Sequence, residues 1–304
     1  MSVTFGQLVI GPPGTGKSTY CHEMSKFLAQ VGRKVSIVNL DPANEKCLYK
    51  ADVDVNELIT VEDVMSHKKL GPNGALLYSF EYLEENIQWL LDQLKDIKGT
   101  YVMIDCPGQI ELYTHHESIR NIINRLKLDG FNLCAVYLLD AHYCNEPGKF
   151  VSSLMLTLST MLHIELPHIN VLTKVDLMAK FAEKLPFGLD YYTDVLDLKY
   201  ILEYLEEECG STRMKFHKFN EALSDLIENY GLVSFLPLNI VDKRMMNNIK
   251  NSFDKANGYI YHSKEQRHVQ TLLACAVGAQ TENERIGLDR DLYTTTDYQD
   301  TNEP

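Results

Sequence analysis

"LVIGPPGTGKSTYCHEMSKFL", residues 8–28, sets a short apolar run against a turn rich in glycine and proline, then a segment in which Tyr20, Met24, Phe27 and Leu28 recur at helical spacing. The order is strand, loop, helix. In that order the pattern G-x-x-x-x-G-K-[ST], met by Gly11, Pro12, Pro13, Gly14, Thr15, Gly16, Lys17 and Ser18, carries a mechanism. The glycines let backbone N–H groups close around an anionic phosphate, and the N-terminus of the following helix adds its dipole. Lys17 brings a point charge to the terminal phosphates, and the Ser18 hydroxyl offers a ligand to Mg²⁺. Residues 11–19, through Thr19, are therefore the expected phosphate-binding segment.

Four further runs share the shape of the first: "KVSIVNLD", ending at Asp41, "TYVMIDC", whose aspartate is Asp105, "LCAVYLLD" and "HINVLTKVD". Each is apolar and β-rich with a polar residue at its carboxyl end, and helical segments separate them. This predicts an α/β fold of the P-loop NTPase kind, a mainly parallel sheet flanked by helices. Ligands of such sheets bind outside the carboxyl ends of the strands, where the glycine loop, Asp41, Asp105 and "TKVD" all fall. A sixth strand is expected in "LVSFLPLNI", followed by a helix near residues 243–255 and a last helix in "SKEQRHVQTLLACAVGA". The expected organisation is a P-loop core over residues 1–180, a helical insertion over 181–230, the rest of the core over 231–280 and an acidic disordered tail over 281–304.

The chain has 304 residues, 45% of them hydrophobic and 23% charged, with a formal charge of −13. That charge repels a phosphate backbone, so no direct nucleic-acid binding is expected, while basic protein surfaces stay open as partners. No basic leader and no run of about 18 apolar residues occurs, so no membrane association is expected and the cytoplasm is the expected location. Seven cysteines without C-x-x-C spacing point to reduced thiols. The pair His115-His116 is expected on different faces of one helix, where capping or surface roles suit it better than a shared metal.

"DCPGQ", residues 105–109, ends the third strand. A carboxylate there can hold Mg²⁺ through water, and Gln109 lies close enough along the chain to orient an attacking water. "TKVD", residues 173–176, closes the fifth strand. Asp176 can accept from both N1 and N2 of guanine, donors that adenine lacks, while the Lys174 stem packs along the base plane beside Thr173. GTP and GDP are thus favoured over ATP. "FLPLNI", residues 235–240, is expected to close over the base, with Pro237 and Leu238 in contact.

The tetrad Gly71-Pro72-Asn73-Gly74 satisfies every local rule for a surface turn. Taken with "GPPGTGKST", "NLDPAN", "DCPGQIEL" and "TKVD", it makes residues 5–275 resemble the GPN-loop GTPases, with most likeness to the GPN-loop GTPase 2 branch. The resemblance implies a fold similar to dimerising P-loop GTPases and ATPases related to signal recognition particle GTPases. It implies a homodimer, or a heterodimer with a paralogous GPN-loop GTPase, in which Gly71, Pro72 and Asn73 of one subunit approach the nucleotide of the other. It also implies that Asp41 activates water or coordinates Mg²⁺, that Asp105 binds Mg²⁺ indirectly, that Gln109 positions the water and that Glu111 supports them. Glu111 fits equally well as a helix-start carboxylate. Related dimeric ATPases carry a lysine where this chain has Pro12. By resemblance the cellular role is assembly and nuclear import of RNA polymerase II, with its subunits or assembly factors as partners and shuttling to the nucleus. Two alternatives stand beside this reading. One is a nucleotide or polynucleotide kinase, although residues 181–230 contain only Arg213 to clamp a second anionic substrate. The other is a module that holds GTP with negligible turnover.

Overall fold

The computed structural model describes residues 3–44, 47–195, 198–201, 204 and 213–261, with the backbone alone for 181–184, 213–216 and 261. The expected last helix and acidic tail lie outside the described residues. Seven strands, β1 (Thr4–Ile10), β2 (Val35–Asn39), β3 (Val53–Asp54), β4 (Tyr101–Asp105), β5 (Phe131–Asp140), β6 (His168–Thr173) and β7 (Phe235–Leu238), form one sheet in the order β3-β2-β4-β1-β5-β6-β7. The pairs β1–β4, β1–β5, β2–β3 and β2–β4 are all parallel. All six expected strands are present; β3 is the addition. Two residues are too few to show a period, and β3 forms because β2 offers it a free edge.

Flanking the strands are α1 (Lys17–Gln30), α2 (Val61–Lys68), α3 (Pro72–Glu85), α4 (Ile87–Lys95), α5 (Glu111–Thr114), α6 (Glu117–Leu128), α7 (Pro147–Ile164), α8 (Leu189–Asp194), α9 (Arg213–Tyr230) and α10 (Lys243–Ala256). The central strand β1 is buried at every position, as a strand covered on both faces must be. Gly6 permits the close approach of β4, because a Cβ there would stand 2.4 Å from the Val102 carbonyl oxygen.

Two local expectations change. The tetrad at residues 71–74 is the first turn of a helix: Gly71 is the N-cap of α3 and Pro72 its first residue. Proline's fixed φ and missing N–H suit that position as well as they suit a turn. His115 and His116 do not share a helix either. His115 ends α5, and His116 caps α6 by accepting from Ser118 N.

The contacts group into two compact units. One gathers the described parts of residues 1–138, 159–171 and 240–262. The other gathers residues 139–158 with the described parts of 172–239, so the expected helical stretch falls inside it. In this second unit Phe150 meets Tyr192 edge-on at 5.0 Å, and Leu198 N donates to Glu228 at 2.7 Å. The five described free cysteines form no disulfide.

In the first unit, a buried ion pair joins the α1–β2 turn to α10. Arg33 grips Asp254 with two hydrogen bonds, 2.6 and 2.7 Å, and its guanidinium lies 3.9 Å from the Tyr259 ring centroid and 4.9 Å from that of Tyr101. Lys250 adds a second contact to Asp254 at 3.1 Å. Arg33→Met should remove the bidentate partner of a fully buried carboxylate and lower unfolding free energy by about 3 kcal/mol, measured by urea titration. A loss of a few tenths would show that Lys250 alone suffices.

Candidate functional site

The phosphate loop lies in the first unit and begins where β1 ends. Gly11 leaves the strand at φ 143°, and a Cβ on it would meet the Leu138 carbonyl oxygen at 2.3 Å, so only glycine fits. Gly14 and Gly16 take left-handed conformations, at φ 81° and 89°. Thr15 Oγ1 donates to the Pro12 carbonyl at 2.9 Å, tying the loop across its own base. Gly16 caps α1 and Lys17 is the first helical residue. Pro13 and Gly14 are exposed, as is Thr19, whereas Thr15 and Lys17 are buried.

Lys17 turns back over the loop, donating through Nζ to the carbonyls of Gly11 and Pro12, each at 3.1 Å. Burial pulls its pKa below the usual lysine value, while the charges of Asp105 and Asp41 push the other way. Gly108, in the expected "DCPGQ" segment, presses against the same loop: a Cβ there would stand 2.9 Å from Pro13 Cα and 3.0 Å from Lys17 Nζ.

Asp105 closes β4 and is 1% exposed. Its Oδ2 accepts from Tyr49 Oη at 2.7 Å, and its Oδ1 has no hydrogen-bond partner among the described residues. Burial raises the pKa of this carboxyl, against the opposing influence of Tyr49, Ser18 and Lys17. Asp41 is half-buried, its Oδ1 accepting from Ala43 N at 3.0 Å, and burial raises its pKa too. Asn44, from the same "LDPAN" turn, donates to Ser18 Oγ at 3.4 Å. No cluster of three His, Cys, Asp or Glu side chains suited to a metal occurs among the described residues. A Mg²⁺ held by one hydroxyl, one carboxylate, water and phosphate needs no such cluster. The unpartnered, buried Asp105 oxygen fits that mode of binding.

Gln109 follows Gly108 half-buried, and Glu111 is an exposed first residue of α5. Gly71, Pro72 and Asn73 are all exposed at the start of α3. In the second unit, Thr173 Oγ1 donates to the Leu139 carbonyl at 3.1 Å, and Lys174, at φ 60°, bridges to Asp140 Oδ2 at 2.7 Å. Asp176 is exposed in the 3-10 turn Val175–Lys184. Pro237 is half-buried and Leu238 buried in β7, whose place at the sheet edge tolerates a proline.

A family model described as a conserved hypothetical ATP binding protein matches residues 9–259. Over 278 residues the chain is 52% identical to GPN-loop GTPase 2 of Danio rerio, covering 91% of this chain and 88% of that protein. The chain belongs to the GPN-loop GTPase family. It is also 51% identical over 261 residues to GPN-loop GTPase QQT1 of Arabidopsis thaliana (85% of this chain, 87% of that one) and 43% identical over 266 residues to GPN-loop GTPase 2 of Saccharomyces cerevisiae (86% and 76%). A crystal structure of a GTPase in apo form from Pyrococcus abyssi matches with a TM-score of 0.66 at 24% identity, over 84% of this chain and 98% of that one. That last match supports the fold.

Three polar partners of this GPN-loop GTPase escape sequence reasoning: Tyr49, Asn44 and Asp140. Asp140 left a signal, since it ends an apolar strand like Asp41 and Asp105. Tyr49 and Asn44 left none, because their partners lie 56 and 26 residues away. The tight seat of Gly108 yields a direct test. Gly108→Ala must displace Pro13 or the Lys17 ammonium, so affinity for a fluorescent GDP should fall about tenfold while the circular dichroism spectrum is kept. Unchanged affinity would mean that the loop absorbs the methyl group.

Proposed function

We propose that this chain is a Mg²⁺-dependent GTP-binding and GTP-hydrolysing switch that works as a dimer. The observation that carries this reading is the pairing of a phosphate loop, with Lys17 heading α1, and a buried Asp105 whose Oδ1 is free to accept. Residues 11–19 surround the phosphates, and Lys17 exchanges its two loop carbonyls for phosphate oxygens. Ser18 would hold Mg²⁺ directly and Asp105 through water, with Asp41 available either to join them or to activate water, and the ion would offset the charge on the phosphates. Gln109 orients the attacking water, with Asp41 able to draw its proton and Glu111 in support. Asn73 offers an uncharged amide to the neighbouring subunit's nucleotide.

The matching family model is described by ATP and the relatives by GTP. "TKVD" favours GTP: a single aspartate at 176 accepts two donors found on guanine and not on adenine. The Lys174–Asp140 bridge holds the lysine of that motif in place. Pro237 and Leu238 supply backbone over the base. By resemblance, the switch serves assembly and nuclear import of RNA polymerase II, in the cytoplasm with shuttling to the nucleus, alone or paired with a paralogue. A charge of −13 suits basic client surfaces.

Asp176→Asn should weaken GTP binding about 100-fold, by loss of one charge-assisted acceptor, and should shift preference towards xanthosine nucleotides. Wild-type affinities equal for ATP and GTP would sink the base reading. For Asn73, mixing decides. Asn73→Ala subunits keep an intact phosphate loop and Lys17→Ala subunits an intact GPN segment, so two inactive preparations should regain GTPase activity together if the residue acts across the dimer. Labelled subunits that exchange without recovery would rule that action out.

A further inference from the structure

We infer that Tyr49 is a positioning residue for the metal-facing oxygen of Asp105. The two side chains come from positions 56 residues apart, and Tyr49 Oη donates to Asp105 Oδ2 at 2.7 Å. The other oxygen, Oδ1, is buried and has no hydrogen-bond partner among the described residues. The terminal torsion of an aspartate is soft, so fixing one oxygen fixes where the second points. Water cannot readily replace the phenol, because Asp105 is 1% exposed and Tyr49 8%.

The bond has one direction only. The phenol hydroxyl carries a proton to give and an ionised carboxylate only accepts, so Tyr49 donates and Asp105 accepts. A protonated phenol occupies one carboxylate oxygen and leaves the other to a cation or its water. Of the other polar neighbours, Lys17 Nζ is held by two backbone carbonyls, while Ser18, whose Oγ accepts from Asn44 Nδ2, keeps its own proton on the Asp105 side. Tyr49 is thus an outer partner of a metal ligand, a kind of residue whose loss commonly weakens metal binding tenfold or more.

The inference rests on the proposed Mg²⁺-dependent GTP site, and the experiment separates the two. Full-length wild type and Tyr49→Phe are loaded with a fluorescent GDP, and the Mg²⁺ concentration that half-maximally slows its release is measured. Affinity in EDTA and the melting temperature of the nucleotide-free chain are recorded alongside. Tyr49→Phe should raise the Mg²⁺ midpoint about tenfold while its EDTA affinity and melting temperature stay close to wild type. Equal midpoints overturn the inference. A wild type whose release ignores Mg²⁺ overturns the parent reading and this one with it. Should Tyr49→Phe not fold, the Asp105→Asn background removes the stranded charge. There, adding Tyr49→Phe should leave the midpoint unchanged, and a further tenfold rise would overturn the claim.

Discussion

Parallel pairing sets Val9 opposite Asp105, Asp105 opposite Asn39, and Asn39 opposite Asp54, so one row of backbone register crosses four strands at their carboxyl ends. Every polar group of the phosphate site in the first unit is placed relative to that row. Gly11 follows two residues after Val9 on β1. Asp41 follows two residues after Asn39, whose Oδ1 accepts the Asp41 N–H at 3.1 Å. Asn39 Nδ2 reaches Asp54 at 2.9 Å, and Asp54 in turn caps the 3-10 turn Val55–Glu57. A slip of one residue would turn Asp105 to the opposite face and leave the loop without a carboxylate. The close approach permitted by Gly6 helps hold β4 in its register.

The row also gathers charges that a protein interior resists. Lys17, Asp105 and Asp41 are each shifted towards neutrality by burial; the lysine and the two carboxylates oppose one another's shifts, whereas Asp105 adds to the upward shift of Asp41. Removing the lysine would therefore leave both carboxylates less well compensated. The lysine's two hydrogen bonds to loop carbonyls keep its ammonium over the loop. A ligand that supplies an anion there binds only the folded chain, and at 100 times its dissociation constant such a ligand adds about 2.7 kcal/mol of stability.

Much of this was legible in the sequence, and the reason is periodicity. Buried parallel strands are continuous apolar runs, so β1, β2, β4, β5 and β6 stood out together with the aspartates or lysine that end them. The phosphate loop is legible because its backbone geometry demands glycine at set positions. What stayed hidden is tertiary: Tyr49 against Asp105, Asn44 against Ser18, Arg33 against Asp254 across 221 residues. Residues 71–74 show a different limit. A proline at N1 of a helix and a proline in a turn obey the same restriction on φ, so local rules do not separate them.

That helix start bears on how an uncharged segment could face a phosphate in the proposed dimer. The neighbouring helix α2 satisfies its own N-terminus: Thr60 accepts from Asp63 N, and Glu62 and Asp63 place negative charge in the first turn. By contrast α3 has no side-chain cap and no acidic residue in its first turn, and Pro72 carries no N–H. The amides of Asn73 and Gly74 are then first-turn donors at the positive end of the helix dipole. Such an end attracts an anion without bringing a mobile cation, in a chain whose Pro12 stands where related dimeric ATPases carry a lysine. An aspartate or glutamate in that turn would strengthen α3 by itself, but in the proposed dimer it would repel the partner subunit's phosphate.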